Sequence, residues 1–142
     1  MDMPSPPPLE GLRVLELAHL IAGPICGMYL ADMGADVVKV ESRDAPDAGR
    51  TVYRAFRGGE GVLHLTVNRN KRAVCVDLRR PEGLAVFRRL AERADVIVEA
   101  FRGGAAERLG IDYASLRAAN PRLIYCSLSA FGPSGPWHDK PG

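Results

Sequence analysis

The chain has 142 residues, 25% of them charged, and a formal net charge of +2. That is enough for one domain of ordinary globular composition, and too little charge to address a polyanion such as nucleic acid. Three cysteines, Cys26, Cys75 and Cys126, lie far apart without C-x-x-C spacing, which argues against a disulfide framework or a zinc site and for a reducing compartment, the cytoplasm.

Met1 to Pro8 is proline-rich, has no apolar core of a signal peptide, and is expected to be a flexible lead-in to a domain spanning residues 9–142. No later apolar run approaches the roughly 20 residues of a membrane span, so no membrane partner is expected. Leu12 to Leu17 is nearly continuously apolar, as a strand buried in a parallel sheet should be. A turn, Ala18 to Pro24, leads into a helix from about Ile25 to Ala35. Ile25, Met28, Tyr29, Leu30 and Met33 are expected to share its buried face. Gly34 is placed to cap that helix in the left-handed conformation, and Asp36 to Glu41 forms the second strand. Strand, helix and strand make one βαβ unit.

Ser42 to Asn70 is rich in glycine and charge and predicts a long loop with short helical or extended pieces, a length that is usually functional in a compact domain. Arg72 to Leu78 predicts the third strand, and Pro81 opens a helix with Leu84, Ala85, Phe87 and Leu90 on one face. Asp95 to Val98 is a short fourth strand. Ala105 to Leu109 and Tyr113 to Ala119 are short helices, the second capped by Asp112, and Leu123 to Leu128 is the fifth strand. Residues 132–142 read as loop. The alternation gives an α/β fold, a parallel sheet with helices on both faces. Because the chain stops in loop on Lys140-Pro141-Gly142, the domain is expected to be incomplete at its C-terminus, the N-terminal piece of a longer polypeptide.

The first βαβ unit invites a dinucleotide reading, but its turn lacks G-x-G-x-x-G. Only Gly23 and Gly27 are present, and Leu20 and Ile21 crowd the approach of a pyrophosphate, which disfavours an NAD-dependent oxidoreductase. Ser127 and Ser129 are not in a G-x-S-x-G elbow, and His19, His64 and His138 have no metal-ligand spacing. Arg88-Arg89 falls mid-helix, on a solvated face. Arg79-Arg80 falls at the C-terminal end of a strand, where open α/β sheets bind ligands.

Nine motifs in order carry a family resemblance: Leu9 to Leu17, Ala22-Gly23-Pro24, Leu30 to Glu41, Asn68 to Arg72, Asp77-Leu78-Arg79, Ala94 to Glu99, Arg108-Leu109-Gly110, Asn120 to Tyr125, and Gly132 to Pro136. Together they resemble the N-terminal part of the family III CoA-transferases, which include formyl-CoA, carnitine and bile-acid CoA-transferases and the related 2-methylacyl-CoA racemases. The resemblance implies a Rossmann-like CoA-binding domain, the N-terminal part of a larger CoA-transferase fold. It implies CoA contacts at Ile21 and Ala22 after the first strand, and at Val76, Asp77, Leu78 and Arg79 at the end of the third. It adds Ala100, Phe101 and Arg102 after the fourth strand, and Arg108. Arginine suits the phosphates of CoA, and Phe101 offers a face to adenine. Three departures stand out: Ala100 where the family usually has Asn, Arg102-Gly103-Gly104 for Arg-Pro-Gly, and Ser42 where some members have Arg, with Arg43 next door.

The resemblance also implies CoA or acyl-CoA as substrate rather than a resident cofactor, a carboxylic acid acceptor, and an interlocked homodimer of the full-length protein. The nucleophilic aspartate of the transferases matches no residue here, so no catalytic residue is assigned and this chain alone is expected to be inactive. Two alternatives stay open: racemisation of an acyl-CoA, and a CoA-binding module without catalysis.

Overall fold

A computed structural model describes residues 5–138 and 140; parts of the expected lead-in (1–4) and terminal loop (139, 141 and 142) lie outside the described residues. Among the described residues five strands form one parallel sheet, β1 (Arg13–Leu17), β2 (Asp36–Glu41), β5 (Arg72–Cys75), β6 (Val96–Glu99) and β7 (Ile124–Ser127), in the order β5-β2-β1-β6-β7. Helix α1 (Ala22–Asp32) joins β1 to β2, and α3 (Pro81–Ala91) crosses back from β5 to β6. Two short helices, α4 (Ala105–Leu109) and α5 (Tyr113–Leu116), precede β7.

Alternation along the strands sorts the core into two layers. Val14, Val37, Val96 and Val98 pack with Ala31 and Ala35 on the α1 side. Leu15, Leu17, Val40 and Ile97 pack with Phe87, Ala91, Ile111 and Leu116 on the side of α3, α4 and α5. Helices on opposite faces are what right-handed crossovers running in opposite directions from β1 require.

Helix α1 begins three residues earlier than its apolar spacing predicts, because Ala22 and Gly23 are already wound. It ends at Asp32 in a Schellman turn: the N–H of Ala35 donates to the Leu30 carbonyl, the N–H of Gly34 to that of Ala31, and Gly34 takes φ +100°. Its buried face is Gly23, Pro24, Gly27, Met28 and Ala31; Tyr29 and Met33, expected inside, are 59% and 41% exposed. Small residues bring the helix axis close to the sheet, and that rotates the larger ones outward. Strand β5 stops at Cys75 rather than Leu78, since the Asp77 carboxylate accepts the N–H of Arg79 and turns the chain into α3. Helix α5 likewise ends at Leu116, short of the predicted Ala119. The long excursion contains a 3-10 turn at Ala48–Arg50, a small hairpin of β3 (Phe56–Arg57) and β4 (Glu60–Gly61), and α2 (Val62–Val67).

Candidate functional site

Adjacent strands β1 and β6 send their chains to opposite faces, which opens a crevice at their C-terminal ends, the switch point where α/β sheets receive ligands. One wall is the loop from Ala18 to Ile21 with the uncapped first turn of α1. The other begins at Ala100, whose N–H donates to the Leu17 carbonyl at 3.2 Å. A Cβ on Gly23 would collide with Ala18 and touch Ala100, so glycine here serves the close approach of helix and strands. Ile21, Ala22 and Ala100 are exposed around this crevice.

Beside it, past the ends of β6 and β7, lies a cavity of about 690 Å³ lined by Phe101, Arg102, Arg108, Asp112, Tyr113 and Tyr125. The buried Glu99 carboxylate accepts the Phe101 N–H at 2.7 Å and fixes the chain as it leaves the sheet. Phe101 is half-buried and packs partly on the core, so one portion of the ring serves the fold and another faces the cavity. Tyr125 donates its hydroxyl to the Ile111 carbonyl at 3.0 Å, and burial pushes its phenol well above the ordinary range. Arg102 and Arg108 are exposed and add positive charge to this mouth.

The remaining predicted residues lie elsewhere. Strand β5 is two strand spacings from β1 and three from β6, roughly 10 and 14 Å at the usual interstrand distance. Val76 is 8% exposed and its side chain is in the core, while Leu78 packs against that core. Arg79 donates to Asp77 and, at 3.0 Å, to Asp44; the Arg79 hydrogen bond holds the Asp77 carboxyl below its usual range. The structure thus groups Ile21, Ala22 and Ala100, then Phe101, Arg102 and Arg108 beside them. It leaves Val76 to Arg79 at the sheet's edge. A ligand touching all three regions must be elongated.

A cluster that the motif spacing does not assign to any role sits under the crevice, on the α1 face. Lys39, 2% exposed, donates to Glu16 Oε1 at 2.8 Å and to the Ala18 carbonyl at 2.6 Å, and pairs with Asp47 Oδ2 at 2.8 Å. The Lys71 ammonium lies 2.6 Å from Glu16 Oε2 and donates to the Pro24 carbonyl at 2.7 Å and to Asn68 at 2.9 Å. Burial pulls the Lys71 ammonium below its ordinary value, although Glu16 pulls the other way. Asp47 Oδ1 accepts the N–H groups of Leu20 and Gly49, each at 2.9 Å. Burial works against ionising Asp47, but those N–H groups and Lys39 outweigh it and hold the carboxyl at about 2. Glu41 accepts the Asp47 N–H and pairs with Arg50 at 2.8 Å, and Arg50 reaches Glu60. His64 Nδ1 receives the Asn68 amide at 3.0 Å, and burial, with Arg50 nearby, lowers its pKa. Opposite charges at Glu16 and Lys39, paired in register on neighbouring parallel strands, are the sequence signal that could have found this cluster. Among the described residues no three His, Cys, Asp or Glu side chains are arranged to hold a metal ion, and no helix is long and apolar enough to cross a membrane.

A profile of CoA-transferase family III matches residues 9–142. The chain is 48% identical over 149 aligned positions to a succinate–glutarate CoA-transferase of Agrobacterium fabrum, covering 99% of this chain and 37% of that protein. It is 38% identical to a human succinyl-CoA:glutarate CoA-transferase, covering 99% of this chain and 32% of that one. A CAIB/BAIF family protein from Brucella suis has the same fold at a TM-score of 0.90 and 43% identity, over 97% of this chain and 37% of the other. The chain spans about a third of the length of the curated relatives it matches.

Proposed function

Because this chain belongs to CoA-transferase family III, we propose that the intact protein moves CoA from an acyl-CoA to a carboxylic acid, and that residues 9–142 supply a CoA-facing wall. The observation that carries this reading is the pairing of the β1–β6 crevice with the adjoining arginine-bearing cavity. In this reading the thioester end of CoA approaches the loop at Ile21 and Ala22. The adenine lies against Phe101, and the phosphates meet Arg102 and Arg108, with Arg79 reached only by rearranging its pairs to Asp77 and Asp44.

The chemistry follows covalent catalysis by a carboxylate. An aspartate from outside residues 1–142 attacks the acyl carbon, and the CoA thiolate leaves to give a mixed anhydride. The thiolate then attacks the aspartyl carbonyl and releases the first carboxylic acid, leaving CoA as an enzyme thioester. The acceptor carboxylate reverses these two steps, takes the CoA and regenerates the aspartate. Positive charge at Arg102 and Arg108 serves binding here and takes no part in proton transfer.

Two relatives are named for succinate or succinyl-CoA and glutarate, so succinyl-CoA with glutarate is the donor–acceptor pair to assay first. Intact protein is mixed with both, and glutaryl-CoA is followed by chromatography. Formation of glutaryl-CoA with loss of succinyl-CoA, and weaker CoA binding in Arg108→Ala, are expected. Absence of CoA binding by the intact protein would refute the reading. Epimerisation of a 2-methylacyl-CoA without transfer would assign it to the racemase branch.

A further inference from the structure

The chain from the end of β1 into the first turn of α1 is fastened to the buried charges at three backbone points. The Ala18 carbonyl accepts from Lys39, the Leu20 N–H donates to Asp47, and the Pro24 carbonyl accepts from Lys71. Between the first and last of these, Leu20 takes φ +67°, a left-handed conformation that a side chain as large as leucine rarely adopts. Such a residue persists only where its surroundings over-determine it, and such positions gather at binding sites. The over-determining group is Asp47. It is 1% exposed, its second oxygen is held by Lys39, and its own N–H is held by Glu41. The consequence is visible in the side chains: Leu20 and Ile21 are turned outward, 39% and 45% exposed, although Leu17 and Ala18 just before them go inward.

We infer that Asp47 is a positioning residue for the ligand crevice, acting through the Leu20 N–H to hold the loop from Ala18 to Ile21 in its outward-facing shape. Asp47 lies outside every motif that carried the family resemblance. It comes from the start of the excursion after β2, just ahead of the 3-10 turn, and reaches back to the loop across 27 residues of sequence. The inference rests on the CoA reading proposed above. A stabilising ion pair alone would need only the contact with Lys39; the bond to Leu20 is what ties the cluster to the crevice.

The test uses the intact protein, with CoA affinity from titration calorimetry and KM and kcat for acyl-CoA. In Asp47→Ala the dissociation constant and KM are expected to rise about tenfold or more, with kcat at saturation changed far less, the pattern of lost binding geometry. Asp47→Asn keeps an acceptor for Leu20 and should restore most of that affinity even though it gives up the charge facing Lys39. Asp47→Glu keeps the charge but displaces the acceptor, so it should bind weakly, and it serves where Asp47→Ala does not fold. Wild-type affinity in a folded Asp47→Ala or Asp47→Glu protein would overturn the inference. A wild-type protein that binds no CoA would instead overturn the CoA reading, and this role with it.

Discussion

Glu16 offers the sharpest test of how the sheet's charged end is held together. Its side chain is fully buried, with one oxygen 2.8 Å from the Lys39 ammonium and the other 2.6 Å from that of Lys71. Glu16→Met removes the negative charge while roughly keeping the length. Lys39 retains Asp47, but Lys71 retains only two neutral acceptors, the Pro24 carbonyl and Asn68. A buried charge stranded in this way costs about 3–5 kcal/mol, a large share of the roughly 5–15 kcal/mol that keeps a domain folded. Lys71→Met should cost a similar amount, since Glu16 then shares the single ammonium of Lys39. Together the two substitutions restore neutrality, so the double variant should lose at least about 2 kcal/mol less than the two singles added. Urea denaturation of the intact protein, followed by circular dichroism across all four members of the cycle, measures that coupling. A single-variant loss below about 1 kcal/mol, or strict additivity, would refute the argument that desolvated charge rather than packing governs this cluster.

Acid should act on the same cluster through Asp47. Its carboxyl is held at about 2 against an ordinary 3.8, so it adds about 2 kcal/mol of stability above pH 4, which is lost as pH falls through 2. Asp47→Asn should flatten the acid-unfolding curve in that window, and an unchanged slope would contradict it. Gly27→Ala should destabilise the protein and lower its melting temperature by several degrees, because the new methyl group would collide with Glu16 Oε2. A melting temperature equal to wild type would mean that α1 can shift away from the sheet. Phe87, fully buried between α3 and the sheet, should cost about 3–5 kcal/mol when cut to alanine, read as a lower urea midpoint. A loss under about 1 kcal/mol would show that the layer collapses to fill the space.

The sequence alone is enough to place the strands β1, β2, β6 and β7, the helix α3 opened by Pro81, and the left-handed cap at Gly34. Apolar run length, proline and glycine act locally, over a few residues, and leave their mark in composition. The same locality explains the misses. Spacing alone assigns Tyr29 and Met33 to the buried face of α1, but which face is buried depended on Gly23 and Gly27 meeting Ala18 and Glu16 across the sheet. Motif resemblance named Ile21, Ala22, Ala100, Phe101, Arg102 and Arg108 as ligand contacts, and the fold sets them past the C-terminal ends of β1 and β6. Tertiary structure decided that Val76 turns into the core, that Arg79 is already paired, and that Leu20 is held outward by an aspartate 27 residues away. Charges such as Glu16, Lys39, Asp47 and Lys71 look like solvated residues along the chain. Only the fold shows them closed off from water, because burial is a property of what the excursion after β2 covers, and covering is decided between segments, not within them.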